Sequence, residues 1–315
     1  MSTDAMIDIF NSILPFFIVV ACGYGSAKIN FLSVEAIASI TKLVFYIALP
    51  CMLFRFSSGI SIGEMFDNQF FLAYICATLG VYLFTFGQGL IRGVGTAEAA
   101  VEAQCSSIGN VGFLGIPMLV LLIGEKSVGP IIFFLALDLI IFGTLIVMTI
   151  KISQEGRLTG ESMIKVVLGI FGNPMILSIS LGLIWGEFDI LMPAAIEECY
   201  VLLSGAATPC ALFVIGASLA DKSAEKYVVA GWLSTLKLIV HPLLMAFFAL
   251  KVFRVDPFSA SIMIMAAAMP TAGNIYILAQ HFGVAPKRVS ATILISTAVS
   301  VITLSIVIAV INGVD

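Results

Sequence analysis

Two stretches of the chain place amides, glycines and prolines where an apolar helix would exclude them. One reads Ser106-Ser-Ile-Gly-Asn-Val-Gly-Phe-Leu-Gly-Ile-Pro117 and the other Ala268-Met-Pro-Thr-Ala-Gly-Asn274. Gly and Pro cost a helix interior about 1 and 3 kcal/mol relative to Ala, so each stretch predicts a break. Where a second half-helix restarts, free N–H groups and a positive dipole end are exposed; where the first half stops, free carbonyls are exposed. The restarts are expected near Pro117 and near Asn274, Pro being suited to a first helical turn. The N–H ends favour an anion and the carbonyl ends a cation. Asn110 and Asn274, with the N–H groups around Gly112, Thr271 and Gly273, are therefore expected to hold a carboxylate, with Pro117 and Pro270 shaping the two breaks.

Ionisable groups inside apolar runs come next. Asp138 stands in Leu135-Ala-Leu-Asp-Leu-Ile-Ile141 with no charged neighbour in sequence. Such a residue costs a few kcal/mol in a bilayer and should face the bundle interior, as a proton carrier or cation ligand, or as a hydrogen-bonded packing group. Lys237 and His241 lie one turn apart on one helix face and could balance an anion or Asp138, or anchor packing. Lys42 is placed to help with charge balance or to snorkel to an interface. His281 reads as interfacial. Enzyme templates are missing: the chain has no HExxH, GxSxG or Walker A sequence, and one mid-run Asp is not a carboxylate dyad.

The elements that position these residues follow from composition. Of 315 residues 60% are hydrophobic and only 11% charged, and the mean hydropathy is +1.13. A soluble protein carries about 25% charge, so the reading is a polytopic membrane protein of the inner or plasma membrane. A soluble catalytic domain and a nucleic-acid-binding module are excluded. Six Cys without regular spacing argue against a disulfide framework, and two His leave little for a metal site.

Apolar runs fall at 7–27, 34–54, 70–91, 104–122, 129–150, 163–185, 196–219, 227–250, 258–280 and 289–311, separated by linkers of which 55–69, 92–103 and 151–162 are the longest. Ten helices result, and continuous rather than alternating runs exclude a β-barrel. With the N-terminus outside, the inner loops collect Lys28, Arg92, Lys151, Arg157, Lys165, Lys222, Lys226, Lys287 and Arg288. The outer loops collect Arg55, Lys126, Lys251 and Arg254, so both termini are expected outside.

The runs also echo one another. Leu49-Pro-Cys-Met-Leu-Phe54 matches Thr208-Pro-Cys-Ala-Leu-Phe213 at an offset of 159, and Gly109-Asn110 matches Gly273-Asn274 at 164. Two five-helix repeats, 1–155 and 156–315, follow, the second inverted because five is odd. Inverted repeats with interrupted helices in matching places point to a carrier with its site near the midplane.

These residues resemble the auxin efflux carrier family. The resemblance rests on Lys42-Leu-Val-Phe-Tyr-Ile-Ala-Leu-Pro50 and on Asn110-Val-Gly-Phe-Leu-Gly-Ile-Pro117, whose spacing is similar to that of plant PIN carriers. Asn173-Pro174, Pro209 with Gly216, Lys237 with Pro242, Ala268-Met-Pro270 and Phe282-Gly-Val-Ala-Pro286 extend it over nearly the whole chain. It implies an all-α fold similar to bile-acid/sodium symporters, with a scaffold and a transport domain and crossing fourth and ninth helices. It implies transport of organic anions, auxin in plants and malonate- or malate-like acids in bacteria, with Asn110 on the carboxylate. It also implies a homodimer. Ile275 stands where the plant carriers have a second Pro, and the long plant loop is reduced to 151–162, as in bacterial-type members.

The expectation is a secondary carrier of a small organic anion working by alternating access, without a resident cofactor and with H⁺ or Na⁺ as candidate coupling ions. Two other readings fit the same residues. One is a sodium-coupled symporter of larger amphipathic anions. The other is a carrier-like membrane sensor, against which stands the short tail after Val310.

Overall fold

The computed structural model describes residues 3–60, 63, 67–156, 164, 168–169, 171–188, 191–220 and 227–312. Arg157, Lys165, Lys222 and Lys226 of the charge count, the half of linker 151–162 beyond Gly156 and part of the sixth run's start lie outside the described residues. Helices, numbered by run, are α1 (Thr3–Lys28), α2 (Val34–Ser57), α3 (Asn68–Ile91), α4a (Thr96–Ser107), α4b (Val111–Ile123), α5 (Glu125–Glu155), α6 (Pro174–Glu187), α7 (Ala194–Ala220), α8 (Tyr227–Val252), α9a (Pro257–Ala267), α9b (Asn274–Phe282) and α10 (Pro286–Asn312). α2, α3, α5, α7, α8 and α10 are each long and apolar enough to cross a membrane, and α4b, α6, α9a and the Leu14–Lys28 part of α1 are shorter apolar helices. Among the described residues the chain is all-helical, apart from one isolated antiparallel bridge between Gly109 and Thr271. All six cysteines are free thiols.

Side-chain caps start several helices: Asp67 accepts from the N–H of Gln69 at 2.7 Å, Asn173 from Met175 at 2.9 Å and Asp256 from Ser259 at 3.0 Å. Three prolines inside helices share a mark that Pro15 and Pro209 lack. Pro50, Pro117 and Pro242 each follow, by two residues, the end of a π-turn, at 44–48, 111–115 and 236–240. A Pro ring presses on the carbonyl four residues back and donates nothing to it, and a widened turn relieves that contact without stopping the helix.

Two packing groups stand out. In one, α1 lies on α7 and α2 lies on both α6 and α7. Glycines let the backbones touch: a Cβ on Gly23 would collide with the Phe213 carbonyl, and one on Gly216 with the Val20 carbonyl. On the other pair a Cβ on Gly182 would meet Ser57 and the Phe54 carbonyl. In the second group α3 packs on α4a and α8, α4a on α5, and α8 on α9a and α10.

The stretch 92–103 is not the linker that its polarity suggested. Thr96–Ser107 forms α4a, buried from Ala99 onward, because its alanines favour helix and its acids are paired. Glu102, 1% exposed, meets both Arg92 and Arg288, and Arg288 also reaches Glu98. These four side chains tie the ends of α3, α4a and α10 together.

Candidate functional site: a crossing of two broken helices

Both predicted breaks are present, and they meet. α4a ends at Ser107, and Ile108 and Gly109 lead through extended backbone to Asn110 before α4b begins. α9a ends at Ala267, and α9b begins at Asn274. The linking segments run antiparallel: the Asn110 N–H donates to the Pro270 carbonyl at 2.7 Å, and the Ala272 N–H to the Ile108 carbonyl at 3.1 Å. Each break thereby supplies partners for backbone groups that a membrane interior would leave unsatisfied. Thr271 adds two ties, its hydroxyl to the Cys105 carbonyl at 2.9 Å and its N–H to Ser296 Oγ at 3.1 Å.

The first restart lies earlier than the position of Pro117 suggests. Helical backbone resumes at Val111, and Pro117 sits one turn later, its ring accommodated by the π-turn 111–115. The second restart, at Asn274, is where the sequence puts it.

A cavity of about 40 Å³ lies against the crossing. At roughly 10–15 Å³ per water in this measure it has room for about three waters. Asn110, Gly112 and Phe113 line it from the first turn of α4b, Gly273, Asn274 and Ile275 from the start of α9b, and Gln104 and Asp138 from α4a and α5. The Asn110 carbonyl accepts from Leu114 at 3.1 Å and Gly115 at 3.0 Å, so the N–H groups just ahead of them are the free first-turn donors of α4b. Three buried oxygens on cavity residues have no hydrogen-bond partner: Gln104 Oε1, Asp138 Oδ2 and Asn274 Oδ1. An amide can turn to present its NH₂ instead; a carboxylate oxygen has no such choice.

Asp138 is 4% exposed and heads a π-turn, 138–142, in α5. Tyr74 of α3 donates its hydroxyl to Oδ1, and the Tyr74 ring packs edge-on against Phe134 and Phe142. Lys237 and His241, both fully buried, form a chain behind the crossing. The Lys237 ammonium donates to the Ala267 carbonyl and lies 3.0 Å from His241 Nδ1, while His241 Nε2 lies 3.1 Å from Thr78 Oγ1. An ammonium donating to Nδ1 leaves the imidazole proton on Nε2, facing the threonine. A Cβ on Gly109 would stand 3.2 Å from Lys237 Nζ, so the lysine packs directly beneath the bridge. The carbonyl end of α9a, where the sequence suggested a cation, is thus occupied by the protein's own ammonium.

Several expected site residues are placed elsewhere. Pro117, Pro270 and Thr271 do not line the cavity; Pro270 and Thr271 hold the crossing together, and the Thr271 N–H is already engaged by Ser296. Lys237 and His241 stand behind the bridge rather than in the cavity, and no ion pair within 4 Å joins Lys237 to Asp138 among the described residues. Lys42 is exposed in the last turn before the π-turn of α2 and does not line the cavity. Conversely, Gln104, Tyr74, Thr78 and Ser296 were not singled out from sequence. A polar amide six residues before Asn110 could have drawn attention to Gln104; the other three act through contacts between distant segments.

Comparison with known proteins places the chain in a family. The model of the family described as "Membrane transport protein" matches residues 8–308. A protein of Rhizobium meliloti (strain 1021) named "Putative malonate transporter" is 29% identical, covering 95% of each chain. An uncharacterized transporter of Methanocaldococcus jannaschii is 24% identical over 93% of this chain and 96% of its own length. An uncharacterized transporter of Escherichia coli (strain K12) is 24% identical over 92% and 94%. With a match over nearly its whole length and helices apolar enough to cross a bilayer, this multi-pass chain belongs to the membrane transport protein family, that of the auxin efflux carriers.

Proposed function

We propose that the protein is a secondary carrier of a small mono- or dicarboxylate that binds at the crossing and moves by alternating access. The observation that carries this reading is the cavity where both half-helix N-termini, Asn110 and Asn274 converge. Two positive dipole ends and two amides suit a carboxylate. The small cavity favours a compact acid over a large amphipathic one, and the name of the Rhizobium relative points to malonate.

The accompanying architecture is a ten-span inverted repeat, 1–155 and 156–315, with both termini outside. The offset of 159 that maps Pro50 onto Pro209 also maps Gly23 onto Gly182, Phe54 onto Phe213 and Ser57 onto Gly216. Gly23 meets Phe213 where α1 crosses α7, and Gly182 meets Phe54 and Ser57 where α6 crosses α2. At the crossing, the offset of 164 maps Ile108 onto Ala272, and these two residues stand opposite each other beside the bridge. A two-fold axis through that pair would relate the halves. The charge bias also sorts spatially: Arg92 and Arg288 meet at one cluster, while Arg55 and Lys126 line a separate cavity between the end of α2 and the start of α5. In this reading α1, α2, α6 and α7 form the scaffold and the other helices the transport unit, and two copies pair as a dimer.

The test is ligand binding to purified protein, read by thermal stabilisation and isothermal titration with malonate, malate and acetate. Asn110→Ala is expected to weaken the binding of the stabilising acid by about 10- to 100-fold, the loss of a hydrogen bond to a charged group. Binding that survives in this variant would move the site away from the crossing. Failure of every acid to bind, and to cross liposomes containing the protein, would sink the carboxylate assignment.

A further inference from the structure

Asp138 presents an unusual half-satisfied carboxyl group. Oδ1 is held by the Tyr74 hydroxyl, while Oδ2 is buried without a partner on a residue that lines the same cavity as Asn110 and Asn274. An ionised carboxylate with a bare oxygen in so apolar a place costs several kcal/mol, and it would repel the anion that the half-helix ends attract. The surrounding charged and titratable groups do not offset it by direct contact. From α3 come Tyr74 and Tyr82, the latter with its ring against Phe142. From α8 come Lys237, bonded to Ala267 and His241, and His241 itself. From α4a come the Cys105 thiol and Glu102, whose carboxylate is held by Arg92 and Arg288.

Resting on the carboxylate reading above, we propose that Asp138 receives the substrate as a neutral acid, its Oδ2–H donating to a carboxylate oxygen, so that one proton crosses with each anion. The proton comes from water on the loading side, remains on Oδ2 during transit, and returns to water once the anion has left. No covalent bond other than that O–H forms or breaks. A monocarboxylate would then move with no net charge, and a dicarboxylate dianion with one negative charge. Empty Asp138 can lose its proton, but the anion cannot bind beside the ionised form, and this exclusion is the coupling.

The experiment adds malonate to purified protein in weakly buffered solution with a pH-indicator dye, at pH values where free malonate is fully ionised. In the alkaline range we expect uptake of about one proton per malonate bound and an apparent Kd that rises about tenfold per pH unit, as single-proton linkage requires. Asp138→Asn places a neutral N–H donor at the same position, so its malonate affinity should be flat with pH and its proton uptake absent. If that variant does not fold, the wild-type stoichiometry decides alone. Binding without proton uptake, a pH dependence that persists in Asp138→Asn, or binding that requires Na⁺ would overturn the proposal while leaving the carboxylate site standing. No malonate, malate or acetate binding at all would overturn both.

Discussion

Gly216→Val should destabilise the protein by about 3 kcal/mol or more, among the largest effects available to one substitution. A Cβ at position 216 would fall on the Val20 carbonyl of α1, and both the struck atom and its neighbours are backbone. Backbone cannot turn aside as a flexible side chain would. The helices must separate, and with them goes the close packing of α1 on α7, which drives association where lipid supplies no hydrophobic incentive. Gly205 lies on the same helix with open space around it. Gly205→Ala should therefore be neutral or stabilising by a few tenths of a kcal/mol through helix propensity. Thermal unfolding of the two variants in detergent, followed by size-exclusion chromatography after heating, checks the pair. Equal midpoints would mean that the α1–α7 contact is looser than described.

Lys237→Met should abolish carboxylate binding, with at least about a 100-fold loss. The ammonium is the donor that closes the carbonyl end of α9a, and the lysine stem fills the space under Gly109. A thioether fills part of the volume but donates nothing, leaving the Ala267 carbonyl and His241 Nδ1 without that partner, a cost of about 1–3 kcal/mol for each buried group. The bridge above, which sets the positions of Asn110 and Asn274, then loses its support. Lys237→Arg should fail as well, because a guanidinium is wider than the gap beneath Gly109 allows. His241→Gln, which keeps an acceptor and a donor, should cost markedly less. Titration calorimetry with the acid that stabilises the wild type separates these cases; a Lys237→Met protein that binds normally would show that the crossing is held by its backbone bonds alone.

The two breaks were legible in the sequence because Gly, Asn and Pro are conspicuous inside apolar runs, and a helix has few other uses for them there. The restart of α4b was not, because Pro117 marks a π-turn as readily as a first turn, and only the fold shows that the widening occurs upstream. α4a was hidden for a different reason. Glu98 and Glu102 lower its apolarity to that of a loop, and the arginines that neutralise them come from Arg92 and from Arg288, the latter almost two hundred residues on. Asp138 was visible as a lone acid, yet Tyr74, its hydroxyl partner, carries no mark in sequence that distinguishes it from other tyrosines. Lys42 and Lys237 both stand inside apolar runs, and of the two only Lys42 was read as able to snorkel. Depth separates them: one has its chain on the outside of α2, the other sits at a helix end with two bonds waiting.

The clasp between Asn110 and Pro270 has a consequence for how the protein is made. Its two sides are 160 residues apart in the chain, which at about 5–20 residues per second of synthesis is an interval of roughly ten to thirty seconds. Through that interval the Ile108 carbonyl and the Asn110 N–H emerge from the ribosome into a bilayer that offers them nothing. The nascent first half must keep this stretch coiled, hydrated or shielded by the insertion machinery until Pro270 and Ala272 arrive. The crossing is therefore among the last features to come into being, and a ribosome that stops short of α9 releases a protein with its central joint still open.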